Sequence, residues 1–269
     1  MHPLIATIGG IPIGTHDVLV GLGVVLAAIV FVMQARYQQR STGQPVDDRI
    51  WSVVAGTLVG GALLGRLGTW AQHLDPRDNA TLLEQWLYGN RSILSGLVGA
   101  YAGALIAKRL TGYREPTGDL FAPAVAAGMA LGRVGCLLTE LPGTPTGSWW
   151  GITLNSQDAA SVGAPAGVAL HPSFAYEIAF HLLALLLLLR IRGRVAKGQL
   201  LTLYLAAYAA FRFGVEFVRG NEVVLAGLTR PQLFLLAFAP LAAWRIVRQA
   251  RRGAYSGLFR RPSEMEAVS

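Results

Sequence analysis

The sequence predicts an all-α integral membrane protein of seven transmembrane helices with a small outward-facing cap. Three observations lead there. Of the 269 residues, 53% are hydrophobic and only 14% charged, with a mean hydropathy of +0.45, whereas soluble domains are about a quarter charged. Seven apolar stretches reach or approach the roughly 20 residues that cross a bilayer. Lys and Arg then fall mostly on one set of the connections between those stretches. The length is short for two transporter halves, and no internal repeat points to one.

The stretches run over roughly 17–33, 50–68, 92–107, 119–138, 174–190, 199–218 and 231–247. Four pairs, Gly56/Gly60, Gly61/Gly65, Gly99/Gly103 and Gly128/Gly132, have the small-xxx-small spacing that lets helix backbones approach closely. With 32 glycines such pairs arise by chance, but inside apolar runs they predict close packing.

Residues 34–49, 108–118, 190–198 and the tail from 245 carry most of the basic residues, among them Arg36, Arg40, Lys108, Arg109, Arg192, Arg194, Arg248, Arg251, Arg260 and Arg261. The opposite side holds Arg66, Arg77, Arg91, Arg219 and Arg230. Basic loops stay cytoplasmic, so the tail is expected inside and the N-terminus outside. This bias explains the net charge of +8 without a nucleic-acid partner. No Lys or Arg precedes the first stretch, so it does not read as a cleavable signal. The expected organisation is one membrane domain over residues 1–255 and a cytoplasmic tail over 256–269. The outward loop 141–172, rich in Pro, Gly, Ser and Trp, forms the cap, with Trp149 and Trp150 suited to a membrane interface. The one cysteine, Cys136, excludes a disulfide framework, cysteine-based zinc sites and iron–sulfur clusters. No metal and no cofactor is expected.

Charged side chains inside spans cost about 2.5–3.5 kcal/mol each on insertion scales, so they carry a function or a buried pair. Arg133 lies in the fourth stretch with no carboxylate within a turn of it. In the sixth, Arg212, Glu216 and Arg219 share a helical face at i, i+4 and i+7, and Tyr204 and Tyr208 extend the stripe. Arginine stays protonated and its planar fork matches phosphate oxygens. Excess arginine therefore reads as a phospholipid headgroup pocket; the other reading is a set of ion pairs locking helices together. Before the fifth stretch, His171-Pro172-Ser173 precedes Tyr176-Glu177. Ser173 is expected to cap that helix and Glu177 suits its dipole, whereas His171 and Tyr176 could face a ligand. His181 fits packing as well as a site.

These residues also form a pattern. Gly132-Arg133-Val134-Gly135, with Gly143-Thr144-Pro145-Thr146 leading to Trp150-Gly151-Ile152, resembles the signature region of the prolipoprotein diacylglyceryl transferase family. His171-Pro172-Ser173 with Tyr176-Glu177 resembles its next block. Phe211-Arg212-Phe213 through Glu216-Phe217 and Arg219-Gly220, followed by Gln232, resembles its late block. The resemblance spans most of residues 92–235.

The resemblance implies a multi-pass enzyme of the bacterial inner membrane with a periplasmic cap. It would move the diacylglyceryl group of phosphatidylglycerol to the lipobox cysteine of a prolipoprotein signal peptide, releasing glycerol 1-phosphate. Besides these partners it would meet membrane lipids. The catalytic residues would be Arg133, Arg212, Glu216 and His171. The phospholipid would be held by Arg133, Arg212, Arg219, Tyr176, Glu177 and Tyr208. The acceptor's thiol, with an ordinary pKa of about 8.5, needs a base or a positive field; His171, Glu177 and Glu216 are the candidate bases. Cys136 is not a nucleophile, because the thiol belongs to the substrate.

The chain departs from the family pattern at several points. Leu94 stands where a His is usual, Cys136 and Thr139 where Asn is usual, and His16-Asp17 where a Tyr-Gly pair is usual. Two other readings stay open on these grounds: a paralogue with another acceptor or donor, and a non-catalytic phospholipid-binding membrane protein.

Overall fold

A computed structural model of the chain describes residues 4–8, 11–70, 81, 83–84, 86 and 92–258. Arg77, Arg91, Arg260, Arg261 and the tail from 259 lie outside the described residues. Among the described residues the continuous α-helices are, in order, α1 Thr15–Thr42, α2 Ile50–Trp70, α3 Ile93–Thr111, α4 Gly118–Thr139, α5 Ser156–Val162, α6 Ser173–Ile191, α7 Gln199–Val215 and α8 Arg230–Arg251. Among the described residues, all but α5 are long and apolar enough to cross a membrane. Three antiparallel two-stranded ribbons accompany them: β1 (Leu4–Ile8) with β2 (Ile11–Gly14), β3 (Ile152–Thr153) with β4 (Ala169–Leu170), and β5 (Val223–Leu225) with β6 (Leu228–Thr229). None closes into a larger sheet, so the protein is a helical, multi-pass membrane protein.

Two compact units divide the chain, Met1–Tyr37 with Pro116–Ser269 and Gln38–Glu115. The smaller unit pairs α2 with α3 through the expected glycines. A β-carbon on Gly60 would collide with the Gly99 carbonyl, and one on Gly103 with the Gly56 carbonyl. Bare backbones let the helices touch where any side chain would hold them apart. Ser92 caps α3 by accepting from the Ser95 N–H, and Gly112 closes it at φ 68°.

In the larger unit α4 is the central element. Of its span, 61% of residues are buried, against at most 28% in any other span. Small residues make this possible: Ala122, Ala124, Ala126, Ala127 and Ala130 are all buried. The face of α4 bearing Ala122 and Ala126 packs with Leu188 of α6 and with Leu200 and Tyr204 of α7. Its Gly128 lies against the Gly23 carbonyl of α1. Asp119 accepts from the N–H groups of Gly198 and Leu200 at 2.8 and 3.1 Å, satisfying donors left open at the start of α7.

Two helix ends differ from the sequence expectation. α1 continues nine residues past its apolar stretch, because Gln34–Arg40 is made largely of good helix formers; Arg192 donates to Gln34 and lies over the Tyr37 ring. The sixth stretch does not stay α-helical to residue 218. It tightens into a 3-10 turn at Glu216–Val218 and stops before Gly220, whose φ is 80°.

The cap is ordered. Leu154, Ala159 and Leu170 form a small core with Leu141, Ile152 and Val162 around them, and Asn155 caps α5 through the Asp158 N–H. Trp149 is 92% exposed and Trp150 49%.

Candidate functional site

The side chains singled out in the sequence gather in the larger unit, where the ends of α4 and α7 and the start of α6 converge. Packing of α4 against α6 brings Arg133 to Glu177: its Nη2 lies 2.5 Å from Glu177 Oε2, with both side chains almost fully buried. Arg133 also donates to Tyr208 Oη at 3.3 Å and approaches Cys136 Sγ at 3.7 Å. Its Nε is buried with no hydrogen-bond partner among the described residues. The absence of a carboxylate near Arg133 in sequence thus does not hold in space; Glu177 comes from another helix, 44 positions on.

Glu177 is shared. Arg219 Nη1 donates to its Oε1 at 2.8 Å, and Tyr208 donates to Oε2 at 3.3 Å. Phe174, one turn earlier, presents its ring to the Arg219 and Arg133 guanidiniums at 4.2 and 5.8 Å, a cation–π arrangement. Arg219 therefore does not flank Glu216 as the i+7 spacing suggests. The 3-10 turn swings it off the helical stripe, toward Glu177 and, at 3.6 Å, Glu140.

Arg212, in the last turn of α7, and Glu216, at the start of the 3-10 turn that follows, do pair and are buried. Glu216 also accepts from Thr229 Oγ1 at 2.8 Å and Asn221 Nδ2 at 2.6 Å. Thr229 and Gln232 form a capping box at the start of α8, and Gln232 donates to the Phe213 carbonyl at 3.2 Å. The carboxylate is thereby fixed between α7 and α8.

His171 and Tyr176 form a third group. His171 Nδ1 lies 3.3 Å from Tyr176 Oη, which accepts from Trp150 Nε1 at 2.9 Å. Ser173 does not cap α6. Pro172 holds the cap position, and the Ser173 hydroxyl donates to the Pro142 carbonyl, tying the helix to the turn after α4. Gly143 has no room for a side chain between the Val218 and His171 carbonyls, so this turn clamps α6 and the end of α7 together. His181 bonds Tyr204 at 3.0 Å inside the bundle, as a packing residue does.

Three arginines, Arg133, Arg212 and Arg219, face two buried carboxylates, Glu177 and Glu216, and the more exposed Glu140 lies 3.6 Å from Arg219 as a third. Arg219 registers the crowding: burial and then Arg133 push its pKa below the ordinary arginine value, while Glu177 opposes. An anion added here would relieve that repulsion.

Sequence reasoning missed Glu140, Asn221 and the role of Thr229. The capping box was legible in Thr229-Arg230-Pro231-Gln232. Glu140 and Asn221 carry no such signal. The structure also gathers His16 of α1, Cys136 and Glu140, whose possible ligand atoms lie within 4.8 Å of one another. Leu94 lies in α3, in the smaller unit.

Fold and charge together define an integral membrane protein with a largely buried arginine–carboxylate cluster at one end of its helices. The chain belongs to the prolipoprotein diacylglyceryl transferase family, whose model matches residues 3–248. It is 28% identical over 96% of its length to the phosphatidylglycerol–prolipoprotein diacylglyceryl transferase of Rhodococcus jostii, covering 76% of that protein. Against the enzyme of the same name from Dehalococcoides mccartyi it is 31% identical, over 93% of this chain and 95% of the relative. A Finegoldia magna enzyme of that name is 29% identical, over 86% and 89% respectively.

Proposed function

We propose that this chain transfers the diacylglyceryl group of phosphatidylglycerol to the lipobox cysteine thiol of a prolipoprotein, releasing glycerol 1-phosphate. The observation that carries this reading is the gathering of three arginines withdrawn from solvent, with the Arg133 Nε donor unpartnered among the described residues. A phosphodiester supplies the acceptor oxygens that arginine binds in bidentate fashion. The family and its relatives give the donor and acceptor.

The lipid phosphate sits among Arg133, Arg212 and Arg219. The acceptor sulfur attacks the glyceryl carbon that carries the phosphate; a C–S bond forms, the C–O bond breaks, and its electron pair stays on the phosphate oxygen. The arginines meet the charge that grows there, the step where preorganised donors lower a barrier most. Arginine cannot take the thiol proton. Of the candidate bases, Glu177 and Glu216 each already accept three hydrogen bonds or ion pairs. His171 engages Tyr176 through Nδ1 alone, so with its proton on Nδ1, donated to Tyr176, Nε2 takes the thiol proton.

Donor and acceptor both reside in the membrane, so the lipid reaches the cluster laterally between helices. Positive-inside bias sets the N-terminus outside and the C-terminus in the cytoplasm of the bacterial inner membrane. The test is a transfer assay with purified protein, phosphatidylglycerol and a lipobox peptide, read by mass spectrometry, with Arg133→Ala as control. A diacylglyceryl adduct lost in the variant is the expected result. No adduct, with the lipid still bound through Arg133, would leave a phospholipid-binding protein instead.

A further inference from the structure

Two departures from the family pattern, His16-Asp17 and Cys136, lie 120 positions apart in sequence and meet in space. The start of α1 packs so closely on α4 at Gly135 that a β-carbon there would touch the His16 Cα and carbonyl at 3.3 and 3.4 Å. That approach sets His16 beside Cys136, and Glu140 follows one helical turn after the cysteine. Against the sequence expectation of no metal and no cysteine-based zinc site, we infer that His16, Cys136 and Glu140, a mixed set with a single thiolate, form a binding site for a borderline-soft divalent cation of the zinc class.

The donor set fits. Thiolate and imidazole favour zinc over magnesium or calcium, and three protein ligands with one open position are the pattern of exchangeable zinc sites. Zinc bond lengths of about 2.0–2.3 Å place tetrahedral ligands about 3.3–3.8 Å apart. His16 Nε2 and Glu140 Oε1 already lie 3.8 Å apart, and no separation in the set exceeds 4.8 Å. His16 and Glu140 have side chains 34% and 44% exposed, so rotation closes the remaining gap and solvent delivers the ion. His16 Nδ1 faces Asp17 at 3.8 Å. A carboxylate behind the imidazole directs the other nitrogen, Nε2, to the metal, a common supporting arrangement at zinc.

Charge also balances. Coordination releases the Cys136 thiol proton to solvent, and one thiolate, one carboxylate and a neutral imidazole cancel a divalent ion. Arg133, 3.7 Å from the sulfur, is paired on its other side with Glu177, and Arg219, 3.6 Å from the ligand Glu140, keeps Glu177 as its nearer partner.

Tag-free protein, dialysed against a chelator in detergent, would be titrated with Co2+ and then with competing Zn2+. Thiolate-to-cobalt charge-transfer absorption is the readout, and it does not depend on transfer activity. One equivalent of cobalt with that band, displaced by zinc, is expected. Cys136→Asn and His16→Tyr introduce the residue types usual in the family, and a thermal midpoint matching the unaltered chain checks that each folds. The first should abolish the band and the second weaken binding at least tenfold. Asp17→Asn should weaken it about 10- to 100-fold, the range for a supporting partner. Absence of the band in the unaltered chain, or unchanged cobalt affinity in Cys136→Asn, would overturn the site.

Discussion

Arg133 of α4 and Glu177 of α6 meet at 2.5 Å with both side chains withdrawn from solvent. The pair joins two helices and orients a guanidinium toward the phosphate it is proposed to hold. Glu177 also receives Arg219, so its loss would strip Arg133 of its carboxylate and leave Arg219 only the more distant Glu140. Breaking a buried pair on one side costs about 3–5 kcal/mol. Glu177→Gln should lower the thermal midpoint in detergent by several degrees and remove transfer; an unchanged midpoint would show that the pair holds nothing together.

Arg133→Ala and Arg212→Ala should each reduce transfer by about 100-fold or more, the scale for losing a donor to developing negative charge, while the protein still inserts. Arg212→Lys separates charge from geometry. Because guanidinium and ammonium differ in their fork rather than their sign, most activity should be lost. Full activity in Arg212→Lys would show that a point charge is enough.

Thr229 has two tasks, capping α8 and bonding Glu216. Removing a cap costs about 1 kcal/mol, and Glu216 would lose one of its three partners. Thr229→Ala should therefore lower both stability and transfer, and Thr229→Ser, which keeps the hydroxyl, should restore both. Equal defects in the two variants would point away from the hydroxyl.

If His171 takes the thiol proton, His171→Gln should lose most of its transfer rate while phosphatidylglycerol still binds. Transfer at the rate of the unaltered chain would assign the proton to another group.

The α2–α3 seam predicts a contrast between glycines. Gly60→Val places a side chain against the Gly99 carbonyl, where overpacking costs about 1–3 kcal/mol. Gly21→Val, with nothing within 4 Å, should be nearly neutral. The comparison is made on thermal midpoints in the same detergent; matched midpoints would mean that the seam yields freely.

The sequence by itself determined the helical membrane architecture, the seven spans, the glycine seam of α2 with α3, and which polar residues were out of place in a bilayer. These are matters of length, hydropathy and local spacing, and the cost of charge in hydrocarbon makes each exception visible. Pairing was not legible. Arg219 seemed the partner of Glu216 because the sequence offered an uninterrupted helix; the 3-10 turn at Glu216–Val218 sends it to Glu177. Arg133 seemed to lack a carboxylate because its partner is on another helix, and the nearness of His16 to Cys136 depends on how closely α1 approaches Gly135. Ion pairs act over a few ångströms of space, and only the packing of helices decides which distant residues come within that range.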